Sequence, residues 1–170
     1  MSSPPICYLS HPESPLQQDL LATLLAEVDA SLPEPLHKRS YFSSFDETAA
    51  RFLRDGLIVY AVDSAQKLVG ASVVYANPHR YSRAYETYIG VLSSHRRQGV
   101  GKILSLMEMN LCRAAGARGI MTNCDPCNHA KIAMNLALGY VRVNKVEEVK
   151  RLEEMNPKWV GKAFFFKDWT

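Results

Sequence analysis

Seven consecutive residues near the middle of the chain combine basic side chains with glycines in a way that suits anion binding: Arg96-Arg97-Gln98-Gly99-Val100-Gly101-Lys102. Glycine lets the backbone approach a ligand closely, so that its N–H groups can donate to phosphate oxygens. If a helix begins within this stretch, its unpaired amides and its dipole add to the attraction for an anion. The sequence therefore predicts a site for a phosphate-containing ligand.

Two well-known phosphate-binding motifs do not fit this stretch. A nucleotide P-loop needs a glycine five residues before Gly101, where this chain has Arg96, and a Ser or Thr after Lys102, where it has Ile103. A dinucleotide fingerprint needs a third glycine at the position of Leu104. Both motifs therefore lack residues that their chemistry requires.

The glycine turn is flanked by a predicted strand and a predicted helix. Residues Ala84–Leu92 are rich in β-branched and aromatic side chains, which favours a strand. Apolar residues recur at helical spacing over Val100–Ala115, with Val100, Leu104, Met107 and Leu111 on the predicted buried stripe and Lys102, Glu108 and Arg113 off it. A second strand, Ile120–Cys124, follows this helix, and such a right-handed crossover joins parallel strands.

The rest of the chain completes an α/β fold. Helices are predicted to begin at a Ser14 cap with Pro15 as the first helical residue, and at a Ser44 capping box, the second helix ending at Gly56. The other predicted elements are strands Ile6–Leu9, Leu57–Val62, Leu68–Ala76, Tyr140–Val146 and Ala163–Trp169, a helix at Asn128–Leu138, and a helical or irregular excursion at Glu147–Gly161. We predict a mixed, mostly antiparallel central sheet of six to seven strands with helices on both faces, forming one domain over residues 1–170.

Composition and charge exclude several classes of protein. A hydrophobic content of 47% and a charged content of 22% are ordinary for a globular domain. The net charge of +3 is mild and no dense Lys/Arg stripe stands out, so we expect no nucleic-acid partner. No apolar run approaches the ~20 residues of a membrane span, and the first residues lack the regions of a secretion signal. We therefore expect a cytoplasmic protein without a membrane partner.

The cysteines indicate neither a disulfide scaffold nor a metal site. Four cysteines are too few to staple a chain of this length. Cys124, Cys127 and His129 form only half of a zinc pattern, because no second cysteine pair accompanies them. We expect reduced thiols and no metal.

The segment Val91–Gly101 resembles the acyl-CoA signature of the GNAT superfamily of N-acetyltransferases, which is Arg or Gln, two residues, Gly, one residue, and Gly or Ala. Asn128, eleven residues before Gly139-Tyr140, is similar to the family's Asn and Gly-aromatic pattern. The order of predicted elements also resembles the family's from about Leu57 to the end. The resemblance implies an N-acetyltransferase domain with acetyl-CoA as its cosubstrate.

The resemblance also implies which residues hold the cosubstrate. The basic turn would hold the pyrophosphate, and the strand around Ile89–Val91 would part from the next strand to admit the pantetheine arm. Gly90 would suit a bulge or a close approach there. Asn128 would contact pantetheine and could also cap the following helix. The implied cofactor-binding residues are Ile89, Val91, Arg96, Arg97, Gln98, Gly99, Val100, Gly101, Lys102 and Asn128.

The implied reaction is direct attack of a neutral amine on the acetyl carbonyl. An alkyl ammonium has a pKa near ~10.4, so a base or a water relay must take its proton. Glu86 is the candidate base, and Tyr88, His79 and His95 are weaker catalytic candidates. On a regular strand Glu86 and Tyr88 share a side, and one bulge would change that. Alternatively, Glu86 is an exposed carboxylate paired with a neighbour such as Arg83.

One position departs from the family. A tyrosine that protonates the departing thiolate often lies seven residues after the asparagine, where this chain has Asn135. A thiol with a pKa near ~8.5 is a tolerable leaving group, so the change should slow catalysis rather than abolish it. Tyr140 or a water is an alternative proton donor.

The acceptor is less well specified by the sequence. The resemblance implies a groove formed by Leu36–Phe45, Asn77–Arg83 and Glu147–Trp159, with aromatic side chains at Tyr41, Phe42, Phe45, Tyr81 and Trp159 and acidic ones at Glu47, Glu147 and Glu148. We expect a small-molecule amine as the acceptor. A protein or peptide amine, and a catalytically silent acyl-CoA-binding module, are the alternatives; a homodimer stays open.

Overall fold

The computed structural model describes residues 6–11, 15–32, 36, 42, 44–76 and 83–169. Its strands are β1 (Cys7–His11), β2 (Leu57–Val62), β3 (Leu68–Tyr75), β4 (Ala84–Val91), β5 (Gly119–Cys124), β6 (Val141–Arg142) and β7 (Ala163–Asp168). Its helices are α1 (Gln18–Ala30), α2 (Phe45–Asp55), α3 (Val100–Ala114), α4 (His129–Ala137) and α5 (Val146–Met155).

The strands form one mixed sheet in the order β1-β2-β3-β4-β5-β7-β6. All neighbours are antiparallel except β4 and β5, which are parallel and are joined through α3. This confirms the predicted mixed, mostly antiparallel sheet and the predicted crossover, and the described residues contribute seven strands to the sheet.

Helices cover both faces of the sheet. On β3, the Ser72 side chain contacts Glu108 of α3, whereas its neighbour Val73 packs against Gly56 at the end of α2. Because successive side chains of a strand point to opposite faces, α2 and α3 lie on opposite sides of the sheet. The predicted two-sided arrangement is confirmed.

Two predicted boundaries are wrong for identifiable reasons. The first helix begins at Gln18 with Gln17 as its N-cap rather than at Pro15, because the Leu16 N–H donates to His11 Nδ1 and Gln17 is extended. Ser14 lies outside the described residues. The predicted strand Tyr140–Val146 shortens to the two residues of β6, since Val146 already begins α5. By contrast, the Ser44 cap is confirmed by the Glu47 N–H, which donates to its hydroxyl at 3.2 Å.

The buried stripe of α3 also differs from the predicted one. Glu108, expected off the stripe, is fully buried together with Leu104 and Cys112 at helical spacing, whereas Met107 and Leu111 are only partly buried. The helix is therefore rotated so that a carboxyl group enters the interior.

The two parallel strands pair over only three positions. Ala84 pairs with Ile120, Tyr85 with Met121 and Glu86 with Thr122, after which β4 continues to Val91 without a neighbour on this side. A gap therefore opens between β4 and β5 beyond the last pair. None of the helices in the described ranges combines the length and apolar composition that a membrane span requires.

Candidate active site

The gap between β4 and β5 presents two backbone amides. The Leu92 N–H donates to the Val69 carbonyl on β3 at 2.9 Å. Because N–H groups alternate between the two edges of a strand, those of Ile89 and Val91 point away from β3 and into the gap. Amides that point into the gap are what the predicted contact of Ile89 and Val91 with the cosubstrate requires.

A β-bulge at Thr87 sets the direction of the neighbouring side chains. Val73 of β3 pairs with Tyr88 and Val74 pairs with Glu86, so Thr87 is the extra residue. Gly90, predicted to suit a bulge or a close approach of the pantetheine arm, is therefore not the bulged residue. The Tyr88 ring lies across Gly90, where an added Cβ would come within 2.0 Å of the Tyr88 hydroxyl oxygen.

Glu86 is buried at the point where the strands part. Its Oε1 atom accepts a hydrogen bond from Thr122 Oγ1 at 2.7 Å and forms an ion pair with Lys131 of α4. The alternative interpretation, an exposed carboxylate paired with Arg83, is wrong because Arg83 pairs with Asp168 at 2.5 Å. Glu86 also lines the cavity described below, as its predicted role as a base requires.

Tyr88 occupies an aromatic cluster on the other face of the sheet. Its ring centroid lies 6.1 Å from that of Phe42 and 6.0 Å from that of Phe52. Its hydroxyl is buried without a partner among the described residues, and burial raises its pKa well above the ordinary value of 10.0. These surroundings favour packing over proton transfer.

The glycine turn has the backbone geometry of an anion site. Gly99 is the N-cap of α3 with a φ of 83°, and Arg97 also has a positive φ of 61°. The N–H groups of Gly99, Val100, Gly101 and Lys102 have no acceptor within the described part of the chain. Open space surrounds the position that a Gly99 side chain would take. Unpaired amides beside open space suit a bound diphosphate.

The basic side chains of the turn have different surroundings. Arg96 donates to the Val91 carbonyl at 3.0 Å and to Ser31, the residue that ends α1, at 2.6 Å. Its guanidinium therefore ties the turn to α1. Arg97, Gln98 and Lys102 are exposed, and Gln98 donates to the Ser94 carbonyl. Of these side chains, Arg97 and Lys102 carry charge that a diphosphate could meet.

The start of α4 lies on the opposite side of the gap. Asn128 caps the helix by accepting from the Lys131 N–H at 3.1 Å, and both residues line the cavity. The Asn135 side chain, one turn further along, is buried without a hydrogen-bond partner among the described residues. Tyr140 is buried as well, and neither Asn135 nor Tyr140 reaches the cavity.

A cavity of about 1450 Å³ connects these elements. Glu86, Thr87, Tyr88 and Ile89 border it, α1 and α2 wall one side, and α5 with Trp159 walls the other. Of the predicted groove residues, Phe42, Glu148 and Trp159 line it, but Phe45, Glu47 and Glu147 do not. Phe45 packs on Phe42, and Glu47 belongs to the exposed first turn of α2. Tyr41, His79 and Tyr81 lie outside the described residues.

His95 and the half zinc pattern have local explanations. His95 Nδ1 lies 2.9 Å from the neighbouring Ser94 hydroxyl, away from the cavity wall. Cys127 donates to Asp125, which pairs with Lys162. In the described ranges no group of three or more His, Cys, Asp or Glu side chains is placed to hold a metal ion.

Sequence reasoning missed Lys131, Glu108 and Ser31. The first two carried a detectable signal, because Asn128, Lys131 and Asn135 fall on one helical stripe and Glu108 follows Leu104 by four residues. Polar residues on a stripe that is otherwise apolar indicate a buried polar network. Ser31 offered no such signal, since its contact with Arg96 spans 65 residues.

Comparisons with known proteins agree with this geometry. The sequence model of the acetyltransferase (GNAT) family matches residues 21–140. A search of curated protein sequences finds no match. A GNAT-family acetyltransferase from Staphylococcus aureus Mu50 superposes with a TM-score of 0.72 at 13% identity, over 98% of this chain and 100% of that one.

Two further solved structures carry more specific descriptions. The ribosomal-protein-S18-alanine N-acetyltransferase from Escherichia coli has a TM-score of 0.63 at 14% identity, over 95% of this chain and 90% of that one. A proposed streptothricin acetyltransferase from Bacillus anthracis, solved with acetyl coenzyme A, has a TM-score of 0.53 at 20% identity. That alignment covers 68% of this chain, which spans 64% of the other protein's chain. With most of its length matched by the family model and its fold shared throughout, the chain belongs to the acetyltransferase (GNAT) family.

Proposed function

We propose that this protein transfers an acetyl group from acetyl-CoA to the primary amine of a small molecule by direct attack of the amine on the thioester. The observation that carries the proposal is the gap beyond Glu86 and Thr122, into which the amides of Ile89 and Val91 point. A backbone N–H at such a position can stabilise the oxyanion that develops at an acyl carbonyl.

The residues of the glycine turn fit the diphosphate of coenzyme A. Four amides at the start of α3 that have no acceptor among the described residues supply donors, and Arg97 and Lys102 supply exposed positive charge. Arg96 acts by holding the turn against Ser31 rather than by touching the ligand. Asn128 fixes the start of α4, the other wall of the gap. When bound, acetyl-CoA supplies the activated acyl group.

The far end of the cavity suits a small acceptor. The cavity exceeds the roughly 300–1,000 Å³ of a typical ligand pocket, which leaves room for an acyl arm and an acceptor together. Tyr85 and Trp159 form an aromatic wall with ring centroids 5.0 Å apart, and Glu148 of α5 also faces the cavity. Aromatic rings can contact the ammonium group of an amine, and Glu148 shares this part of the cavity with Arg83 and Lys158.

A peptide amine is the second candidate acceptor. It is favoured by the fold shared with the S18-alanine N-acetyltransferase, whose name specifies a protein substrate. A catalytically silent acyl-CoA-binding module is the third candidate. It is favoured by the buried Asn135, which occupies the usual position of the tyrosine that protonates the thiolate. The first two candidates predict different acetylated products, and the silent module predicts none.

The test is an acceptor panel assayed by CoA release and by mass spectrometry of the products. The panel contains an aromatic monoamine, a polyamine, free amino acids and short peptides with different first residues. Acetylation of a small amine with the higher kcat/KM supports the proposal, and preferential acetylation of peptides replaces it with the second candidate. Acetyl-CoA binding by calorimetry with no product from any acceptor supports the silent module.

Replacing Trp159 with alanine sharpens this test. If Trp159 belongs to the acceptor wall, the variant raises KM for the amine while the Kd for acetyl-CoA stays unchanged. Val160, exposed next to it and absent from the cavity wall, is the matched control position.

A further inference from the structure

Lys131 brings an ammonium group to the inner end of the gap between β4 and β5. It lies in the first turn of α4, where its backbone N–H donates to the capping Asn128 side chain. Its side chain lines the cavity although only 9% of it is exposed. The Nζ atom is paired with Glu86, the last residue of β4 that pairs with β5. A buried cation therefore stands where the strands part.

A second buried carboxyl group belongs to the same cluster. Glu108 is 1% exposed and interacts electrostatically with both Glu86 and Lys131. Ser72 Oγ donates to Glu108 Oε2 and also lies 3.1 Å from the Tyr88 carbonyl, so Glu108 is anchored to β3 beside Glu86.

The charges of the cluster balance when Glu108 is neutral. Burial, and next to it the negative charge of Glu86, raise the pKa of Glu108 well above its ordinary value. An ionised Glu86 and a charged Lys131 remain, which is the pairing that a buried site tolerates best. The cluster thus holds Lys131 as an ammonium facing the cavity.

The other candidate proton donors are less well placed. The Asn135 amide has no acidic proton, and burial raises the pKa of Tyr140, whose hydroxyl does not reach the cavity. Lys162 also lines the cavity, but it pairs with Asp125 beyond the end of β5. Lys131 is the cation next to the last paired residues, Glu86 and Thr122.

We propose that Lys131 is the proton donor to the departing sulfur and that Glu86 receives the proton released by the acceptor nitrogen. This inference rests on the proposed acetyl transfer. As the C–N bond forms and the C–S bond breaks, the C–S electron pair stays on sulfur, which takes a proton from Lys131 Nζ. The acceptor nitrogen gives one proton to Glu86, directly or through a water. Transfer of that proton from Glu86 to Lys131 restores the ion pair with no net change in protons.

The kinetic test uses Lys131→Met and Lys131→Arg with two acetyl donors. With acetyl-CoA, both variants should lose about 10²–10⁴-fold in kcat, the usual contribution of a positioned proton donor. With S-(4-nitrophenyl) thioacetate, whose thiolate leaves without protonation, the loss should shrink to about tenfold or less. Lys67→Met, in the exposed loop between β2 and β3, is the control for lysine removal.

A binding measurement supplies a readout that does not depend on turnover. The Lys131 ammonium should lower the pKa of the thiol of bound CoA, so this pKa should be about 1–3 units lower in the wild type than in Lys131→Met. The ultraviolet absorbance of the thiolate, recorded as a function of pH, measures it. Where Lys131→Met folds poorly, the double variant Glu86→Gln/Lys131→Met avoids the unpaired buried charge, and the thiol pKa of its bound CoA is compared with that of Glu86→Gln.

The outcomes separate the two proposals. Equal losses with both donors, together with an unchanged thiol pKa, would overturn the role of Lys131 while leaving acetyl transfer by the wild type intact. A wild type that acetylates no amine of the panel would overturn the function, and this inference with it. A loss of kcat that is large with acetyl-CoA and small with the nitrophenyl thioester, together with a shifted thiol pKa, supports both the acetyl transfer and the role of Lys131.

Discussion

Glu86 and Tyr88 lie on opposite faces of the sheet although they are only two residues apart on β4. The bulge at Thr87 causes this, because one inserted residue reverses the side of the strand that each later side chain occupies. Glu86 consequently meets Lys131 and Thr122, while Tyr88 enters the aromatic cluster with Phe52. The two predicted catalytic residues therefore have different tasks.

Substitution of these two residues should have unequal effects. Glu86→Gln removes the partner of Lys131 and the proposed proton acceptor, so kcat should fall by about 10²–10⁴-fold. Tyr88→Phe removes a buried hydroxyl that has no hydrogen-bond partner in the described part of the chain, so activity should hold and the unfolding free energy should stay level or rise by about 1 kcal/mol. Steady-state kinetics and urea unfolding measure both. A Tyr88→Phe variant as inactive as Glu86→Gln would assign the proton transfer to Tyr88.

Glu108→Gln should change how stability depends on pH. In the wild type the pKa of Glu108 is raised above the ordinary value of 4.5, so the folded state holds a proton that the unfolded chain releases as the pH rises above that value. This group's contribution to stability is therefore complete below about pH 4.5 and is lost on going toward neutral pH.

The amide of the Glu108→Gln variant is neutral at every pH and keeps an oxygen that can accept from Ser72. The unfolding free energy of the variant should therefore increase relative to that of the wild type as the pH rises, by up to about 1.4 kcal/mol per pH unit. Urea unfolding between pH 4 and pH 7 checks this. Two parallel stability curves would mean that Glu108 ionises normally in the folded protein.

Gly99 and Gly101 should differ in their tolerance of alanine. Gly99 has a φ of 83°, so Gly99→Ala should lose roughly 1–2 kcal/mol of stability and weaken acetyl-CoA binding by distorting the turn. Gly101 lies inside α3, where an added Cβ would stand 3.4 Å from Met134 Sδ, an ordinary contact. Gly101→Ala should therefore be neutral or gain about 0.5–1 kcal/mol. If Gly101→Ala lost more stability and more acetyl-CoA affinity than Gly99→Ala, the glycine turn would not be the binding site.

Variants of the neighbouring residues Arg96 and Arg97 should differ, because Arg96 stabilises the fold and Arg97 supplies charge for the ligand. Arg96→Met loses the bonds to Val91 and Ser31, so stability should fall by about 1–3 kcal/mol. Arg97→Met should leave stability within about 0.5 kcal/mol while acetyl-CoA binds more weakly and with less dependence on salt. Calorimetry at two salt concentrations tests the second effect. An Arg97→Met variant with wild-type affinity would place the phosphates elsewhere.

The sequence predicted the framework of the site well because the signals there are local. The apolar runs of β2 and β4, the Ser44 cap and the helix start after Gly99 depend on residues adjacent in the chain. Asn128 was recognised as a helix cap for the same reason. The parallel pairing of β4 with β5 followed from one rule about crossovers.

The chemistry inside the framework depends on contacts that local patterns do not contain. The bulge at Thr87 arises from the register with β3, and the ion pair between Glu86 and Lys131 joins residues 45 positions apart. The apolar spacing of α3 predicts Glu108 off the buried stripe, and carboxylates are mostly exposed in proteins. In the folded chain it lies near Glu86 of β4 and Lys131 of α4, which are distant from it in sequence.

The most direct test of the account is acetylation of the amine panel by the wild type and by Gly99→Ala, with CoA release and acetylated product measured in the same reaction. We predict stoichiometric CoA and acetylated amine from the wild type, with a higher KM for acetyl-CoA in Gly99→Ala and little change for Gly101→Ala. Absence of any acetylated product, with no heat of acetyl-CoA binding, would contradict it.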